Sequence, residues 1–522
     1  MTEPAWWRDA VVYQVYVRSF ADSDGDGVGD LPGIRSRLPY LRDLGVDGIW
    51  LTPFYPSPGA DHGYDVANYV DVDPQLGTLA DFDELLADAH ALGLRVLVDI
   101  VPNHTSNEHP WFVNALSSRD HPDRARYVFR PGLDGGPPNG WTSVFGGPAW
   151  TCDEPSGEYY LHLFAPEQPD LDWHVDAVPQ AFEEILRFWL DRGVDGFRID
   201  VAQALFKAQD LHEVVEPENP TPFADWHTAL QQQELHGLYR RWRELAGGYD
   251  RDRAFVAEIS LEDEDELARF VRPDELNLVF NFAFLHAPWE ADALRGVVDR
   301  ACAAFGTVGA PPAWVLENHD VTRLPTRRGD RPDGLRRARA SLLLMLALPG
   351  ASFVYQGQEL GLEEAVLRDD ERQDPIFART NGERLGRDGC RVPLPWTDEG
   401  RGLGFTTGVP WLPMPEEWAW QSVERQRGDA TSTLELTRSA LALRREHLPP
   451  GATTGFAWRE SPPGTLVFER TTGEGTLVCV VNVAGEPYPL DGAELLLTST
   501  PLAGARLPAD AAAWLFEARV RV

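Results

Sequence analysis

The sequence contains very little lysine. Among its 47 basic side chains, Lys207 is the single lysine and the others are arginines. A P-loop nucleotide-binding site needs a lysine directly after its glycine-rich turn, and the sequence has no such motif. A pyridoxal phosphate enzyme would have to form its Schiff base on Lys207. The scarcity of lysine therefore argues against both of these enzyme classes.

Cysteine is also scarce and widely spaced. The chain has four cysteines, at Cys152, Cys302, Cys390 and Cys479, and no two of them have CxxC spacing. This pattern indicates neither a disulfide framework nor a zinc knuckle. A protein without structural disulfides is typical of a reducing compartment, and we expect the cytoplasm.

Long apolar runs and excess positive charge are missing. The longest apolar stretch, residues 341–355, is broken by Pro349 and Gly350, well short of the about 20 residues that a membrane span requires. The N-terminus MTEPAWWRDA has no basic flank and apolar stretch of the signal-peptide type. The net charge of −35 repels nucleic acid and anionic membranes, so we expect neither as a partner.

Short apolar strands alternate with helical segments through most of the 522 residues, which are too many for one compact core. Glycine ends several of these helices, and a buried strand follows at once. The candidate strands are residues 11–17, 46–53, 94–104, 194–200, 253–259, 276–282, 313–320 and 351–357. Eight strands with intervening helices predict an α/β fold, a parallel (β/α)8 barrel. A doubly wound open sheet is the alternative, but its glycine-rich phosphate turn is absent from the sequence.

Three segments depart from this alternation. Residues 105–174 are rich in proline, glycine, tryptophan and histidine, which predicts a subdomain inserted after strand three. Residues 447–522 show a period of two, which predicts a C-terminal antiparallel β-sandwich domain. The catalytic barrel would then comprise residues 1–104 and 175–446. Its loop-rich excursion after strand eight, residues 357–420, is of the kind that often carries function.

The C-terminal ends of the predicted strands carry polar side chains. The active site of a (β/α)8 barrel lies at these ends. They are Asp99, His104, Arg198, Asp200, Glu258, His319 and Asp320. A single charged residue there often only caps a strand, but this combination indicates a catalytic cluster. Without a redox or zinc motif, three carboxylates fit glycoside cleavage, which needs a nucleophile or base, an acid, and stabilisation of positive charge.

Two of these carboxylates have informative surroundings. Asp200 follows Arg198 by two residues, so both side chains point to one face of the strand. The guanidinium would favour an ionised Asp200, as a nucleophile requires. Glu258 lies in the apolar sequence FVAEIS, where burial would raise its pKa and suit it to act as the acid.

Longer motifs carry a family resemblance. DSDGDGVGDL, GIWLTPFYPSP, DIVPNHTS, GFRIDV, AEIS, ENHD and VYQGQELG occur in this order between residues 9 and 361. On these motifs the chain resembles the α-amylase family (family 13) of glycoside hydrolases, especially its α-glucosidase and oligo-1,6-glucosidase branch. LHLFAPEQPDLDW and LGFTTGVPWLP are similar to α-glucosidases of the actinobacterial type. The resemblance implies a retaining, exo-acting α-glucosidase that needs no catalytic cofactor and releases α-glucose from short α-glucosides such as maltose.

The resemblance also implies individual roles. Asp200 would be the nucleophile, Glu258 the acid/base and Asp320 the stabiliser of the transition state. The residues that grip the sugar in the −1 subsite would be Tyr64, His104, Arg198 and His319.

Two further pairs complete the implied pocket. Asp61 and Arg391 resemble the pair that holds the non-reducing end of glucose and closes the pocket. The Arg391 motif GCRVPLPW is a looser match to the family's RTPMQW. Phe145 and Phe164 either wall the pocket or belong to the core of the inserted subdomain.

Residues 22–30, DSDGDGVGD, read like a calcium loop. Aspartates occupy positions 1, 3 and 5 of an EF-hand count, but position 12 is Gly33 where a bidentate glutamate is required. The family resemblance implies a structural site for one Ca²⁺ or Mg²⁺, with no sensing role. Its ligands would be Asp22, Asp24, Asp26, the Val28 carbonyl and Asp30. A solvated turn is the alternative, although four clustered aspartates repel one another without a cation.

The linkage preference and the fate of the glucosyl group stay open. Val201 beside the nucleophile accompanies α-1,6 activity in this family, whereas residues 161–173 and 402–412 resemble α-1,4-active enzymes. We expect maltose to be preferred over isomaltose.

The alternatives are an α-1,6-specific glucosidase, an α-glucosyl transferase or isomerase (a trehalose synthase or a sucrose-acting enzyme) and, last, a non-catalytic binding module. Gln203 and Ala204 replace the Lys-His pair that often holds long chains in endo-acting amylases. The sequence leaves a monomer or homo-oligomer undetermined.

Overall fold

The computed structural model describes residues 5–211, 227–230, 233–452 and 455–519. The outermost residues of the predicted first and last domains, 1–4 and 520–522, lie outside these ranges. The chain begins with β1 (Val11–Val15), α1 (Leu31–Leu44), β2 (Gly48–Leu51), α2 (Leu79–Ala91) and β3 (Arg95–Ile100). Helix α1 starts where the Asp30 side chain accepts a hydrogen bond from Gly33 N, and it ends at Gly45 with φ +100°. That left-handed conformation suits glycine.

The segment after β3 forms a small sheet of its own. It contains α3 (Pro110–Ser117), β4 (Phe129–Pro131), β5 (Trp150–Asp153) and β6 (Glu158–Leu161). The three strands pair in the order β4-β6-β5. These elements fall within the segment predicted as an insertion, whose exact boundaries stay a prediction.

The chain then returns to the barrel. The following elements are α4 (Ala177–Arg192), β7 (Gly196–Ile199), α5 (His227–Leu230), α6 (Glu234–Gly247), β8 (Ala254–Ala257), α7 (Glu264–Arg269), β9 (Leu278–Asn281), α8 (Phe282–His286), α9 (Ala291–Thr307), β10 (Ala313–Val315), α10 (Leu324–Arg327), α11 (Asp333–Ala347) and β11 (Ala351–Tyr355). Eight of the described strands close a parallel barrel in the order β1-β2-β3-β7-β8-β9-β10-β11, with β11 back beside β1. The predicted (β/α)8 barrel is confirmed.

Strand alternation separates the inside of the barrel from the outside. Val12, Trp50 and Leu97 belong to an apolar cluster inside the barrel, whereas Tyr13 packs in the main core with the surrounding helices. Residues two positions further along a strand share its face. The inward series therefore passes from apolar residues to polar ones, which places Asp99, two residues after Leu97, among the residues at the C-terminal end of the barrel.

The excursion after β11 packs onto the inserted segment. It contains α12 (Pro375–Arg379) and α13 (Asp388–Arg391), and it leads to α14 (Val423–Gln426) and α15 (Thr433–His447). Arg379 Nη2 donates to the Gly146 carbonyl at 2.6 Å, and Arg384 Nη1 donates to the Val144 carbonyl at 2.7 Å. Two segments more than 200 residues apart in sequence thus meet at the mouth of the barrel.

The C-terminal part is an antiparallel sheet domain, as predicted. Its strands are β12 (Gly455–Trp458), β13 (Thr465–Thr471), β14 (Gly475–Asn482), β15 (Tyr488–Pro489), β16 (Glu494–Thr498), β17 (Arg506–Leu507) and β18 (Ala511–Ala518). Within the described ranges, five strands pair in the order β12-β13-β14-β18-β16, and β15 pairs with β17. Leu507 of this ribbon and Leu490 next to it belong to one apolar cluster with Val478 on one face of the sheet. On the other face, Trp514 Nε1 donates to the Leu343 carbonyl of α11 at 3.1 Å.

The described helices were also compared with the dimensions of a bilayer. None of them is both long enough and apolar enough to cross a membrane.

Candidate active site

Arg198 lies at the centre of a group of three carboxylates. Its Nη1 donates to Asp200 Oδ1 at 2.7 Å and to Asp99 Oδ1 at 2.9 Å. Its Nη2 lies 2.6 Å from Glu258 Oε2. The strand register explains this meeting, since Asp99 on β3 pairs with Arg198 on β7, and β7 pairs with β8, which leads to Glu258. The structure therefore joins the predicted Arg198, Asp200 and Glu258 in one contact group.

The Arg198 guanidinium contacts three carboxylates, and two of them, Asp200 and Asp99, have shifted pKa values. Burial raises the pKa of Asp200 well above its ordinary value, Arg198 lowers it, and the charges of Glu258 and Asp99 raise it. Burial also raises the pKa of Asp99 to about 6, against the lowering effect of Arg198. The expected lowering of the Asp200 pKa by the guanidinium is present, but burial and the neighbouring carboxylates outweigh it.

Glu258 is held through one oxygen only. Val201 N donates to Glu258 Oε2 at 3.2 Å, and this is the oxygen that also faces Arg198. Oε1 has no hydrogen-bond partner among the described residues. Val201 has φ +45°, a left-handed conformation that β-branched residues rarely adopt, and this turn carries its N–H to the carboxylate. The strained turn directly after Asp200 therefore places a backbone hydrogen-bond donor against the Glu258 carboxylate.

Asp320 accepts hydrogen bonds from two arginines of the excursion. Arg391 Nη2 and Arg387 Nη1 donate to Asp320 Oδ1 at 2.9 and 3.2 Å. His319 Nε2 lies 3.4 Å from Asp320 Oδ2. Although burial raises the pKa of Asp320, the neighbouring His319, Arg387 and Arg391 lower it well below its ordinary value. Asp320 is therefore an anion at neutral pH.

The structure corrects the predicted partner of Asp61. Arg387 Nη2 donates to Asp61 Oδ1 at 2.7 Å, whereas Arg391 donates to Asp320 and to the His319 carbonyl. Arg387 also donates from Nε to Asp374 Oδ2 at 2.7 Å. Residues 387 and 391 flank one turn of helix α13, and side chains four residues apart lie on the same side of a helix. That spacing could have marked Arg387 as a second candidate beside Arg391, but not which of the two reaches Asp61.

Aromatic and imidazole rings form one wall of the site. Tyr64 and His319 stack with centroids 5.3 Å apart and an angle of 6° between their planes. The Tyr64 hydroxyl donates to Asp99 Oδ2 at 3.0 Å. Gln14 Nε2 donates to His319 Nδ1 at 2.7 Å, so the proton of the neutral ring is on Nε2, facing Asp320. Burial lowers the pKa of His319 well below its ordinary value, which keeps the ring neutral.

His104 and the two predicted phenylalanines lie beside this wall. His104 Nε2 donates to the Tyr64 carbonyl at 3.0 Å, and its ring centroid lies 5.2 Å from that of Phe164. Phe145 packs edge-on against Phe164, and the Arg387 guanidinium lies 4.8 Å above the Phe145 ring. Both phenylalanines are buried in a cluster with Val201. They therefore belong to a core of the inserted segment and also contact residues of the site.

The aspartate-rich loop brings together part of its predicted ligand set. Among the described residues, one oxygen each of Asp22, Asp24 and Asp30 lies within 4.8 Å of the others. Asp26 lies outside this group: its Oδ1 accepts from Val28 N at 2.7 Å and its Oδ2 accepts from Gln75 Nε2 at 3.1 Å. Three converging carboxylates fit a hard divalent cation, which prefers oxygen ligands. The loop is tied to the excursion, because Trp411 N donates to the Gly27 carbonyl at 2.9 Å.

Sequence reasoning missed several residues that hold the site together. They are Gln14, Arg387, Asp374, Asn103, Gln168 and Lys207. Gln168 Nε2 donates to Asp61 Oδ2 at 3.3 Å, which gives Asp61 a second partner from the inserted segment. Most of these residues lie within or close to motifs that the sequence already displays, but their partners are distant in sequence.

This geometry agrees with comparisons to known proteins. The model of the α-amylase family described as "Alpha amylase, catalytic domain" matches residues 14–450. The chain belongs to the α-amylase family. It is a glycoside hydrolase of that family by the same match and by its relatives.

Three relatives show the breadth of the family around this chain. It is 39% identical over 506 residues to a probable alpha-glucosidase of Rhizobium meliloti (strain 1021), covering 92% of this chain and 90% of the relative. It is 35% identical over 516 residues to an oligo-1,6-glucosidase of Parageobacillus thermoglucosidasius, with 92% and 91% coverage. The crystal structure of the alpha-glucosyl transfer enzyme XgtA superposes with a TM-score of 0.91 at 38% identity, over 99% of this chain and 100% of that one. The relatives therefore include both glucosidases and a glucosyl transfer enzyme.

Proposed function

We propose that the protein is a retaining, exo-acting α-glucosidase that releases α-glucose from the non-reducing end of short α-glucosides. The observation that carries this proposal is the contact of one guanidinium, Arg198, with both Asp200 and Glu258. Retaining glycosidases place a nucleophile and an acid close together on either side of the scissile bond. The contact group holds two carboxylates close to each other, which supports this proposal.

In the first step, Asp200 attacks the anomeric carbon while Glu258 protonates the leaving oxygen. The bond from C1 to the leaving oxygen breaks, a C1–Oδ bond forms, and the proton passes to the released sugar. Glu258 would deliver this proton from Oε1, since Oε2 is held by Arg198 and by Val201 N. Water then attacks C1, Glu258 takes the water's proton, the C1–Oδ bond breaks to restore the Asp200 carboxylate, and α-glucose leaves with its configuration retained.

Asp320 suits the stabilisation of charge in the transition state. Its two arginine partners keep it ionised, so it presents a fixed anion to the oxocarbenium-like centre. His319 beside it presents an Nε2–H, and the stacked Tyr64 ring offers an apolar face to the sugar. These contacts support the assignment of Tyr64, His104, Arg198 and His319 to the −1 subsite.

The Asp61–Arg387 pair supports exo action. It joins the loop after β2 to the excursion after β11, and both side chains are largely buried. Burial raises the pKa of Asp61 to about 6, against the lowering effects of Arg387 and Arg391. A polar bridge of this kind closes one end of the pocket and offers hydrogen-bonding groups to the hydroxyls of a terminal glucose. Phe145 beneath Arg387 and Phe164 beside His104 wall the same pocket.

Among possible substrates, we propose maltose ahead of isomaltose. Val201 lies beside the nucleophile, and a side chain at this place shifts discrimination by about 1–3 kcal/mol. Residues 402–412 of the excursion resemble α-1,4-active enzymes, and this loop would act on the same entrance over a larger area. The names of the relatives include both linkage types, so this preference depends on the balance between one side chain and a loop.

Glucosyl transfer is the second candidate function. The relative with the 0.91 superposition is described as an alpha-glucosyl transfer enzyme. The glucosyl-enzyme on Asp200 is the same for both reactions, and only the acceptor differs. A sugar that competes with water for the anomeric carbon would turn the hydrolase into a transferase.

We also propose one structural Ca²⁺ or Mg²⁺ in the aspartate-rich loop. Asp22, Asp24 and Asp30 would hold it, and the Val28 carbonyl is a further candidate ligand. The cation would neutralise the clustered carboxylates and supply no chemistry to the reaction. A carbohydrate is the proposed small-molecule partner, and the cytoplasm stays the proposed compartment.

One product profile tests these proposals. The purified enzyme is incubated with maltose, isomaltose, sucrose and starch, and early products are quantified, with Asp200→Asn as the inactive control. We expect glucose from maltose, slower release from isomaltose and little from starch. Trehalose or longer sugars as main products from maltose would favour transfer, and rapid internal cleavage of starch would contradict exo action.

A further inference from the structure

The single lysine of the chain lies at a buried junction. Lys207 is 3% exposed, whereas its 46 cationic counterparts are all arginines. Its Nζ lies 2.8 Å from Asn103 Oδ1 and 2.9 Å from Asp170 Oδ2. The three residues come from the loop after Asp200, the end of β3 and the inserted segment. An arginine fork would bring five donors to this small closed site, whereas an ammonium offers three rotatable ones on a compact head.

Lys207 determines how the amide of Asn103 points. An ammonium can only donate hydrogen bonds, so the atom of Asn103 that faces it must be the carbonyl oxygen. The amide nitrogen then faces the other way. Asn103 Nδ2 donates to His104 Nδ1 and to Asp170 Oδ2, each at 3.2 Å.

The amide of Asn103 in turn determines where His104 carries its proton. An Nδ1 that accepts from Asn103 has no proton of its own. Burial lowers the pKa of His104 to about 4, so the ring is neutral at pH 7 and its proton is on Nε2. That Nε2–H donates to the Tyr64 carbonyl at 3.0 Å. The amide NH2 of Gln168 lies 3.1 Å from the same Nε2 and donates one of its two hydrogens to Asp61 Oδ2 at 3.3 Å.

We propose that Lys207 and Asn103 are positioning residues that hold His104 in its Nε2–H tautomer. The ammonium orients the amide, and the amide orients the imidazole, so that the His104 ring keeps one orientation beside the sugar-binding side, with its Nε2–H on the Tyr64 carbonyl. Gln14 performs the same task for His319 directly, whereas His104 is controlled through an intermediate. The functional consequence rests on the proposed role of His104 in gripping the sugar.

Two sets of variants test this relay without depending on activity. Asn103→Asp keeps the size and the contact with Lys207, but a carboxylate can only accept a hydrogen bond. His104 should then carry a proton on Nδ1. The second set is Lys207→Met with Asp170→Asn, compared with Asp170→Asn alone. The single variant retains the ammonium and should keep the Nε2–H tautomer, whereas the double variant frees the amide and should populate both tautomers.

The measurement is NMR of enzyme labelled with ¹⁵N only in histidine, which reports the proton on each imidazole nitrogen. The signal of His104 among the 13 histidines is identified by its loss in His104→Gln. We expect kcat/KM on maltose to fall at least tenfold in Asn103→Asp and in the double variant. An Nδ1 that stays unprotonated in folded Asn103→Asp would overturn the proposal. So would a double variant that keeps the pure Nε2–H form. A protonated Nδ1 with kcat/KM within twofold of wild type would uphold the relay and instead contradict the proposed sugar contact of His104.

Discussion

Arg387 donates to Asp61 at 2.7 Å across 326 residues of sequence. The same guanidinium contacts Asp374 and Asp320, so it links the closed end of the pocket to one of the three catalytic candidates. Burial raises the pKa values of Asp374 and Asp320, but the nearby arginines lower them by more, so both lie well below the ordinary value. A neutral side chain in place of Arg387 would leave three carboxylates without their common cation.

We expect Asp61→Asn to lower kcat/KM on maltose by ~100-fold while the protein stays folded. Removing one partner of a buried charge pair costs about 2–5 kcal/mol, and here the loss falls on the binding of a terminal glucose. The matched control is Arg368→Gln, an exposed arginine of the same excursion that pairs with Asp370. Steady-state kinetics on maltose decide the matter. If Asp61→Asn matched the control, the pair would have no part in holding the substrate.

We expect the Glu258→Gln variant to retain its fold and to hydrolyse maltose about 10²- to 10⁴-fold more slowly. Glutamine cannot protonate the poor leaving group of a disaccharide. An aryl glucoside with a good leaving group needs far less help, so its glycosylation step should be much less affected. Single-turnover kinetics on both substrates provide the comparison. Equal losses on the two would argue against Glu258 as the acid.

The stereochemistry of the first product tests Asp200 as the nucleophile. We expect the carboxyl groups of Asp200 and Glu258 to function at the retaining separation of about 5–5.5 Å. Proton NMR of a maltose digest, recorded before mutarotation, should then show α-glucose first. The β-anomer as first product would exclude the double displacement.

The metal proposal predicts an effect on stability. Asp24→Ala should lower the melting temperature more than it lowers turnover at moderate temperature, because the loop contains none of the proposed acid/base residues. A cation that binds only the folded state stabilises it by mass action. Thermal unfolding with a chelator, and again after adding Ca²⁺ or Mg²⁺, is the measurement. An unchanged melting temperature in all conditions would remove the assignment.

Linkage preference is tested at Val201. We expect Val201→Ala to lower activity on isomaltose while largely sparing maltose. Alanine is tolerated better than valine at φ +45°, whereas the loss of two methyl groups from a buried cluster lowers stability, so the melting temperature of the variant is measured beside its kinetics. The measurement is kcat/KM on both disaccharides for both proteins. A wild-type preference for isomaltose would show that this side chain outweighs the loop at residues 402–412.

Much of the fold was accessible from the sequence because its signals are local. Glycine at helix ends and short apolar strands predicted the eight barrel strands at nearly the observed positions. The polar residues after those strands were predicted to meet, because parallel strands of a barrel present their C-terminal ends at the same mouth. Arg198, Asp200 and Glu258 therefore needed only their strand positions to be brought together.

Only the tertiary structure decided which charges pair. Arg387 and Arg391 lie one helical turn apart, and nothing in the spacing says which of them reaches Asp61. The sharing of Arg198 among Asp99, Asp200 and Glu258 was also invisible, because the balance between burial and attraction depends on how many carboxylates meet one guanidinium. The sequence by itself determined the barrel and the chemistry of its mouth, since these follow from local periodicity and residue type. Proton positions and ion-pair partners were decided in three dimensions, because electrostatic energies depend on distances between residues that are far apart in the chain.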